Sequence, residues 1–356
     1  MILIGKKLYR LLLNKLAQIT NGGFSKPELF YLKLTERCNL ACHNCDIWKT
    51  TDHQELGLEQ WQKIILDIKS ISPRANVIIS GGEPFLSPIF WPLVKFIKDR
   101  KLTITVNTNG SLLTDDIILK IIEYKIDRIE LSLYSLEPET LTKIRGSQLA
   151  SQSIAALERL IKHGLNKKVI IAWLLTKYNL EETPMAINYF TKNNIAISLQ
   201  PLDSNVQALG ALDLKRSDIK HNSLWPDNKE VITAIFEKII HQKKTGALIH
   251  NRLSQLKLIK DYYLEDISEI NKLPCHCGVK NFIISSQGQV YFCFSQASVG
   301  SLLEKSASDI WKSPEAKYRR HENKTCTKPC RIMNCNYQPS LTKMIKEYII
   351  KQVIGV

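Results

Sequence analysis

The sequence predicts an α/β protein: a partial (β/α)6 barrel followed by a small cysteine-rich α+β domain. Three observations carry this. Six short apolar runs alternate with amphipathic stretches between residues 31 and 200. Cysteines return near the C-terminal end, where the alternation has stopped. The nine cysteines fall in two groups, with none between Cys45 and Cys275.

The elements follow in order. Residues 1–24 read as an amphipathic N-terminal helix, with Ile2, Leu8, Leu12 and Leu16 at helical spacing among Lys6, Lys7, Arg10 and Lys15. Lys15 interrupts the apolar stretch, and no clear cleavage site follows, so a signal peptide is not expected. The helix either packs on the protein or lies on an anionic membrane surface. Residues 25–205 hold the barrel. Strands are expected at Tyr31–Thr35, Asn76–Ser80, Thr103–Asn107, Arg128–Leu133, Val169–Leu175 and Ile195–Gln200. Helices are expected near 57–70, 88–100, 114–124, 150–164 and 181–193. Strands separated by helices argue for a parallel sheet, and six units fit a partly open TIM-like barrel better than eight. Residues 206–270 read as a linker, polar to about 225 and helical after 228, with Ile232, Ile235, Ile239 and Ile240 on one face. In 271–338, Phe282, Ile284, Val290 and Phe292 flank Ser286-Gln287-Gly288 as in a β-hairpin, and the rest has little regular pattern. Residues 339–356 repeat the basic helical character of the start.

Composition excludes several classes. A chain of 356 residues, 44% hydrophobic and 23% charged, is an ordinary globular chain of about two domains. No uncharged apolar run reaches the roughly 18 residues a spanning helix needs. The net charge of +15 points to an acidic partner or to lysines on solvated helix faces. Tight cysteine groups look like metal ligation rather than a disulfide framework, so a reducing, cytoplasmic location is expected.

The first cysteine group is Cys38-x3-Cys42-x2-Cys45, directly after the first expected strand. Loops after parallel strands face the binding crevice. Three thiolates hold three corners of a [4Fe–4S] cube, whereas an ordinary cluster has four cysteines. The open iron is left for a ligand. A zinc site is the alternative, but it wants a fourth ligand, and His43 sits directly after Cys42 where reaching the same metal is strained.

This motif, with its Cys38-Asn39-Leu40 flank, resembles the radical S-adenosylmethionine superfamily. The resemblance implies that the open iron is chelated by the amino and carboxylate groups of S-adenosylmethionine. It implies reductive cleavage of that cofactor to a 5'-deoxyadenosyl radical, which abstracts hydrogen from a substrate. The position before the third cysteine, often aromatic in the family, is Asn44. Ser80-Gly81-Gly82-Glu83-Pro84 resembles the segment that binds the methionine amino group. The two glycines let the backbone approach a ligand, and Glu83 offers charge to an ammonium. Thr108-Asn109-Gly110 resembles the family's loop after the third strand. Ser132 matches the serine near the methionine carboxylate or ribose, with Tyr134 in place of the usual aspartate. Arg145-Gly146 resembles the family's Arg-Gly pair, with Arg145 toward the carboxylate or on the surface. Gln200-Pro201 lies on the expected adenine side. The resemblance covers about residues 27–202.

Cys277, then Gly288, then Cys293 resemble the opening of the auxiliary-cluster domains called SPASM and twitch, and Cys275 fits the allowed gap. The closing group, Cys326-x3-Cys330-x4-Cys335, departs from the two-cluster pattern. Six cysteines are too few for two cubes with four ligands each, so one auxiliary [4Fe–4S] cluster is expected. The sequence does not choose its ligands among these cysteines, and a zinc ribbon is the alternative.

Three substrate classes stay open. The resemblance favours a peptide or protein modified in a maturase-type reaction. An acidic leader would suit the net charge, and the residues before the first strand are too few for a separate leader-binding domain. A small molecule of cell-surface or secondary metabolism is the second class. RNA is the third and least expected, because basic patches interleaved with aromatics are not evident; Lys317–Lys328 comes nearest. An external donor such as flavodoxin or ferredoxin is expected to supply the electron.

Overall fold

A computed structural model describes residues 13–14, 16–17, 19–21, 25–50, 54–203 and 222–338. The basic residues Lys6, Lys7, Arg10 and Lys15, most of the polar break after the sixth strand, and the C-terminal helix expected at 339–356 lie outside them.

Six parallel strands form the barrel wall in sequence order: β1 (Leu29–Thr35), β2 (Asn76–Gly81), β3 (Thr103–Thr108), β4 (Arg128–Ser132), β5 (Val169–Leu175) and β6 (Ala196–Pro201). Between them run α1 (Leu58–Ile71), α2 (Phe90–Asp99), α3 (Asp115–Glu123), α4 (Pro138–Arg145), α5 (Gln152–Lys162) and α6 (Thr183–Lys192). All six strands and five helices fall within a few residues of expectation. The short helix α4 was not legible, because its eight residues carry few apolar side chains and begin at a proline.

Alternation along the strands separates two faces. Phe30, Leu32, Val77, Ile79, Ile104, Val106, Ile129, Leu131, Ile171 and Ile197 are buried under the helices. α1 meets them with Trp61, Ile64, Ile65 and Ile68, spaced for one helical face. The other face is polar. Register places Lys33 beside Ser80, Asn107 beside Glu130, Ser132 beside Ala172, and Ala172 beside Ser198. This is the inner face of the barrel.

The C-terminal strands β7 (Asn281–Ile284), β8 (Gln289–Tyr291) and β9 (Gly300–Ser301) continue the same sheet. β7 pairs in parallel with β1, so the nine strands run β6-β5-β4-β3-β2-β1-β7-β8-β9. Phe30 and Phe282 meet across the joint at 5.5 Å. The open edge of β6 is covered by the segment Leu248–Asn251. Ile197 exchanges backbone hydrogen bonds with Leu248 and His250, and Asn251 bonds both the N–H and the carbonyl of Leu199. Such cover protects an edge strand from unwanted pairing.

The linker helices are α7 (Lys229–Lys244), α8 (Leu253–Tyr263) and the single turn α9 (Ser268–Asn271). The segment expected to lack regular pattern contains α10 (Ala307–Lys312) and α11 (Pro314–Thr325), which corrects that reading. α11 is mostly polar, and its buried residues are Ala316, Arg320 and Asn323, so apolar periodicity could not reveal it. Arg320 donates to the carbonyls of Gly278 and Trp311 and stacks over the Trp311 ring at 4.4 Å. Arg319 pairs with Glu315 and Glu322. The basic stretch Lys317–Lys328 thus has both arginines engaged in packing and pairing within the protein. The described N-terminal residues pack on this part: Ala17 is buried, and Lys324 donates to the Ile19 carbonyl. Among the described residues, no helix is long and apolar enough to cross a membrane.

Candidate functional site

Parallel strands bring their following loops to one end. The loops after β1, β2, β3 and β4 carry Cys38–Cys45, Gly82–Pro84, Asn109 and Tyr134. The structure gathers these loops through direct contacts.

Gly81 and Gly82 let the backbone approach the cysteine loop closely. A Cβ on Gly81 would lie 2.1 Å from the Thr35 carbonyl, and one on Gly82 would lie 2.1 Å from the Arg37 carbonyl. The backbone approach is to the chain itself. Gly82 N donates to the Thr35 carbonyl (2.7 Å) and Glu83 N to that of Arg37 (2.8 Å), so the loop after β2 props the cysteine loop.

Glu83 is fully buried. Its carboxylate accepts from Thr108 Oγ1 (2.8 Å), the Asn109 backbone N–H (2.8 Å) and, at longer range, the Phe85 N–H (3.4 Å). Burial pushes its carboxyl up to about 7, against the pull of these bonds. Glu83 therefore ties the loop after β2 to the loop after β3, rather than standing open as a free charge. Pro84 begins the short turn that follows.

Asn109 extends the network to the cysteines. Its Nδ2 donates to Asn39 Oδ1 (2.9 Å) and lies 3.9 Å from Cys38 Sγ. Asn39 donates to Ser111 Oγ, which donates back to Asn109 Oδ1. Asn39 and Ser111 were not singled out from sequence, although Asn39 lies inside the motif. Arg145 is buried rather than on the surface. Its Nη1 donates to the carbonyls of Ser132 (2.6 Å) and Asn109 (3.3 Å), and its guanidinium lies 4.8 Å from the Tyr134 ring centre. Gly146 ends α4 in the left-handed region at φ 65°, and a Cβ there would lie 2.7 Å from the Ala41 carbonyl. His43 packs against Gly146, with its Nε2 3.3 Å from that same Cβ position.

Cys42 is buried, and Cys38 and Cys45 are half-buried. Burial first, then mutual crowding, pushes the Cys45 thiol up to about 12 and Cys38 in the same direction. Crowded thiols of this kind are discharged by a bound metal, which takes them as thiolates. Arg145 beside Cys42 adds a compensating positive charge. Asn44 Oδ1 and Arg145 Nε are buried without a protein partner. An acceptor and a donor left open beside three thiols fit a polar, zwitterionic ligand on an iron–sulfur cube. Among the described residues, no three His, Cys, Asp or Glu side chains converge as ligands of a single ion.

A second group forms where the C-terminal loops meet. Cys277 lies beside both Cys275 and Cys293. Its thiol beside them brings Cys275 down to about 6 and Cys293 in the same direction. Asn336 takes the His276 N–H and donates to Cys275 Sγ (3.6 Å), while Asn281 donates to the Cys335 carbonyl (3.1 Å). Asn334 donates to Ser198 Oγ on β6 and accepts from Asn251 and Gln255. Cys335 is thus held by neighbours on both sides. Cys335 is exposed as a residue, while its thiol lies near Cys293, Asp203 and Glu130 and is pushed up to about 12, by burial first. Tyr31, on the inner face of β1, feels both Cys335 and Cys277. Cys326 caps α11, and Cys330 lies in the turn Pro329–Ile332. Cys275 and Cys277 also border a cavity of about 410 Å³ lined by Ala17, Ile19 and Lys324 among others.

Comparison with known proteins follows this division. The family model of the radical SAM superfamily matches residues 32–190. The model of SPASM, an iron–sulfur cluster-binding domain, matches residues 275–336. Together they span more than half of the chain. A tungsten-containing aldehyde ferredoxin oxidoreductase cofactor-modifying protein of Pyrococcus furiosus is 25% identical, over 80% of this chain and 81% of its own. The PqqA peptide cyclase of Granulibacter bethesdensis is 24% identical, over 86% and 79%. The fold resembles SuiB of Streptococcus suis bound to S-adenosylmethionine, with TM-score 0.65 and 17% identity over 85% of this chain and 70% of that one. The chain belongs to the radical SAM superfamily: it is a radical S-adenosylmethionine enzyme with a C-terminal SPASM-type iron–sulfur domain.

Proposed function

We propose that this enzyme modifies a peptide, with Cys38, Cys42 and Cys45 holding the cube that binds S-adenosylmethionine. The observation that carries the reading is the convergence of four strand-end loops on these thiols at the mouth of a polar barrel. When bound, the cube and S-adenosylmethionine supply a carbon-centred radical that takes a hydrogen atom from the substrate. The chain's own residues hold the geometry. Glu83 and Asn109 lock the loops, and the backbone around Gly81–Pro84 meets the methionine end. Arg145 sets its charge beside Cys42 with Nε left to a carboxylate, and Ser132 lies on the same rim.

The peptide reading draws support from relatives that include a PqqA peptide cyclase and mycofactocin maturases. A second reading, a small-molecule substrate, draws support from relatives named as a cofactor-modifying protein and a heme synthase, each matched over 80% or more of its length.

The nearness of Cys275, Cys277 and Cys293, with Cys335 close to them, favours these four as auxiliary ligands, with Cys326 and Cys330 to spare. An external donor such as flavodoxin or ferredoxin would supply the electron. The burial of Ala17 favours packing of the N-terminal segment over peripheral membrane contact, within a cytoplasmic setting.

The test is iron and sulfide analysis of the Cys38/Cys42/Cys45→Ala variant, reconstituted without oxygen. About four irons per chain should remain, while 5'-deoxyadenosine formation is abolished. Eight irons, or retained S-adenosylmethionine cleavage, would sink the assignment of those three cysteines.

A further inference from the structure

The inner face of the barrel is unevenly charged. Lys33 on β1 is buried close to Cys45 and Glu36, at the end carrying the cysteine loop. Glu130 lies on β4, two residues before Ser132, and so roughly 7 Å deeper in the barrel. Around it are Tyr31 and Cys335, and Asp203 stands beside Cys335. Acid therefore gathers on the side of the second cysteine group.

Glu130 has an unusual position for a carboxylate. The charge that favours its ionised form is Arg128, which is exposed at the start of the strand. No hydrogen bond or ion pair within the described residues reaches the Glu130 carboxylate. Its register partner on β3 is Asn107, whose Oδ1 is buried and also lacks a partner. Buried acceptors are ordinarily satisfied, because leaving one unpaired costs about 1–3 kcal/mol. Here the buried amide oxygen of Asn107 stands beside the carboxylate of half-buried Glu130 on the inner face of the barrel. Two adjacent acceptors, one of them anionic, match a ligand group with several N–H donors and a positive charge. Burial pushes the Glu130 carboxyl up, and a bound cation would restore its charged form. Lys33 repels the same cation from the cysteine end.

We propose that Glu130 and Asn107 form a substrate subsite for an ammonium or guanidinium group, the head of a lysine or arginine side chain. This rests on the peptide reading above. The basic head anchors deep in the barrel, and the carbon chain behind it lies toward the cysteine loop. The surface is basic overall, so selection for a cation belongs to the interior.

The experiment uses fluorescein-labelled decapeptides that differ only in a central Lys, Arg, Ala or Glu. Anisotropy is read against the reconstituted protein with S-adenosylmethionine. The wild type should bind the Lys and Arg peptides about tenfold more tightly than the Ala and Glu peptides. Glu130→Gln should bring that preference within about twofold, Glu130→Asp should keep it, and Glu130→Lys should turn it toward the Glu peptide. Iron content and melting temperature of each variant separate misfolding from lost recognition. Agmatine and n-butylammonium are tested in parallel. If they bind in a Glu130-dependent way while no peptide does, the peptide reading fails and the subsite stands. A wild type with no preference for cationic probes, or a preference that survives in well-folded Glu130→Gln, overturns the proposal.

Discussion

Both oxygens of Glu83 are occupied by the protein, and that fixes what its loss would do. Glu83→Ala leaves Thr108 Oγ1 and the Asn109 N–H unpaired in a buried place. At about 1–3 kcal/mol for each orphaned group, the variant should melt several degrees lower and bind S-adenosylmethionine poorly. Its pH behaviour has a definite sign. The folded-state value near 7 lies above the ordinary 4.5. The folded form thus keeps a proton that the unfolded chain releases, a contribution complete below about pH 4.5 and lost as pH rises through about 7. The stability gap between wild type and Glu83→Gln should shrink from pH 5 to pH 7.5 in urea titrations. A gap that stays flat over that range would mean the carboxyl is ionised throughout. Asn109 acts on the cluster more directly, because its Nδ2 reaches Cys38 Sγ. Hydrogen bonds to ligating sulfur raise the reduction potential, so Asn109→Ala should lower the midpoint of the catalytic cluster in an EPR-monitored titration. The cysteine spacing was legible from sequence because three ligands on one short loop have a fixed pattern. Asn39, Ser111, Glu130 and Asn107 were not, since their roles depend on which loops and strands lie beside them. A charged residue within an apolar strand, as in Arg128–Ser132, was the one signal available.

Among the elements, α4 has the largest effect for its size. It spans eight residues, yet it delivers Arg145 to the cysteine loop and ends where Gly146 touches Ala41. Gly146→Ala adds a left-handed penalty of about 1–2 kcal/mol to a contact of 2.7 Å with backbone. Gly164→Ala is the control, with φ 71° but nothing within 4 Å of the added carbon. Gly146→Ala should lose melting temperature and reconstituted iron together, whereas Gly164→Ala should lose only a little melting temperature. Equal iron in both variants would detach α4 from the cluster site. The barrel helices were legible because each presents one apolar face to a continuous sheet. α10 and α11 were not, because their packing runs through Arg320, Asn323 and Trp311 rather than an apolar stripe.

At the scale of the whole molecule, one sheet joins both iron–sulfur regions. Sequence gave no sign of this, because strand adjacency between β1 and β7 leaves no local pattern. Removing residues 272–338 would strip β1 of its β7 partner and expose Phe30 at a bare edge. Such edges template aggregation, so that truncated chain should run as aggregate rather than monomer in size-exclusion chromatography. A monomer with cooperative unfolding would show instead that the six-stranded part stands alone.

The same pairing sets a clock on synthesis. Leu29 waits for Asn281, about 250 residues further along the chain. At roughly 5–20 residues per second, the ribosome needs about 10 to 50 seconds to deliver that partner. For this interval the strand that leads into the catalytic cysteines has a vacant side. The nascent protein must be shielded while it waits, and the last strands to emerge are the ones that close the first.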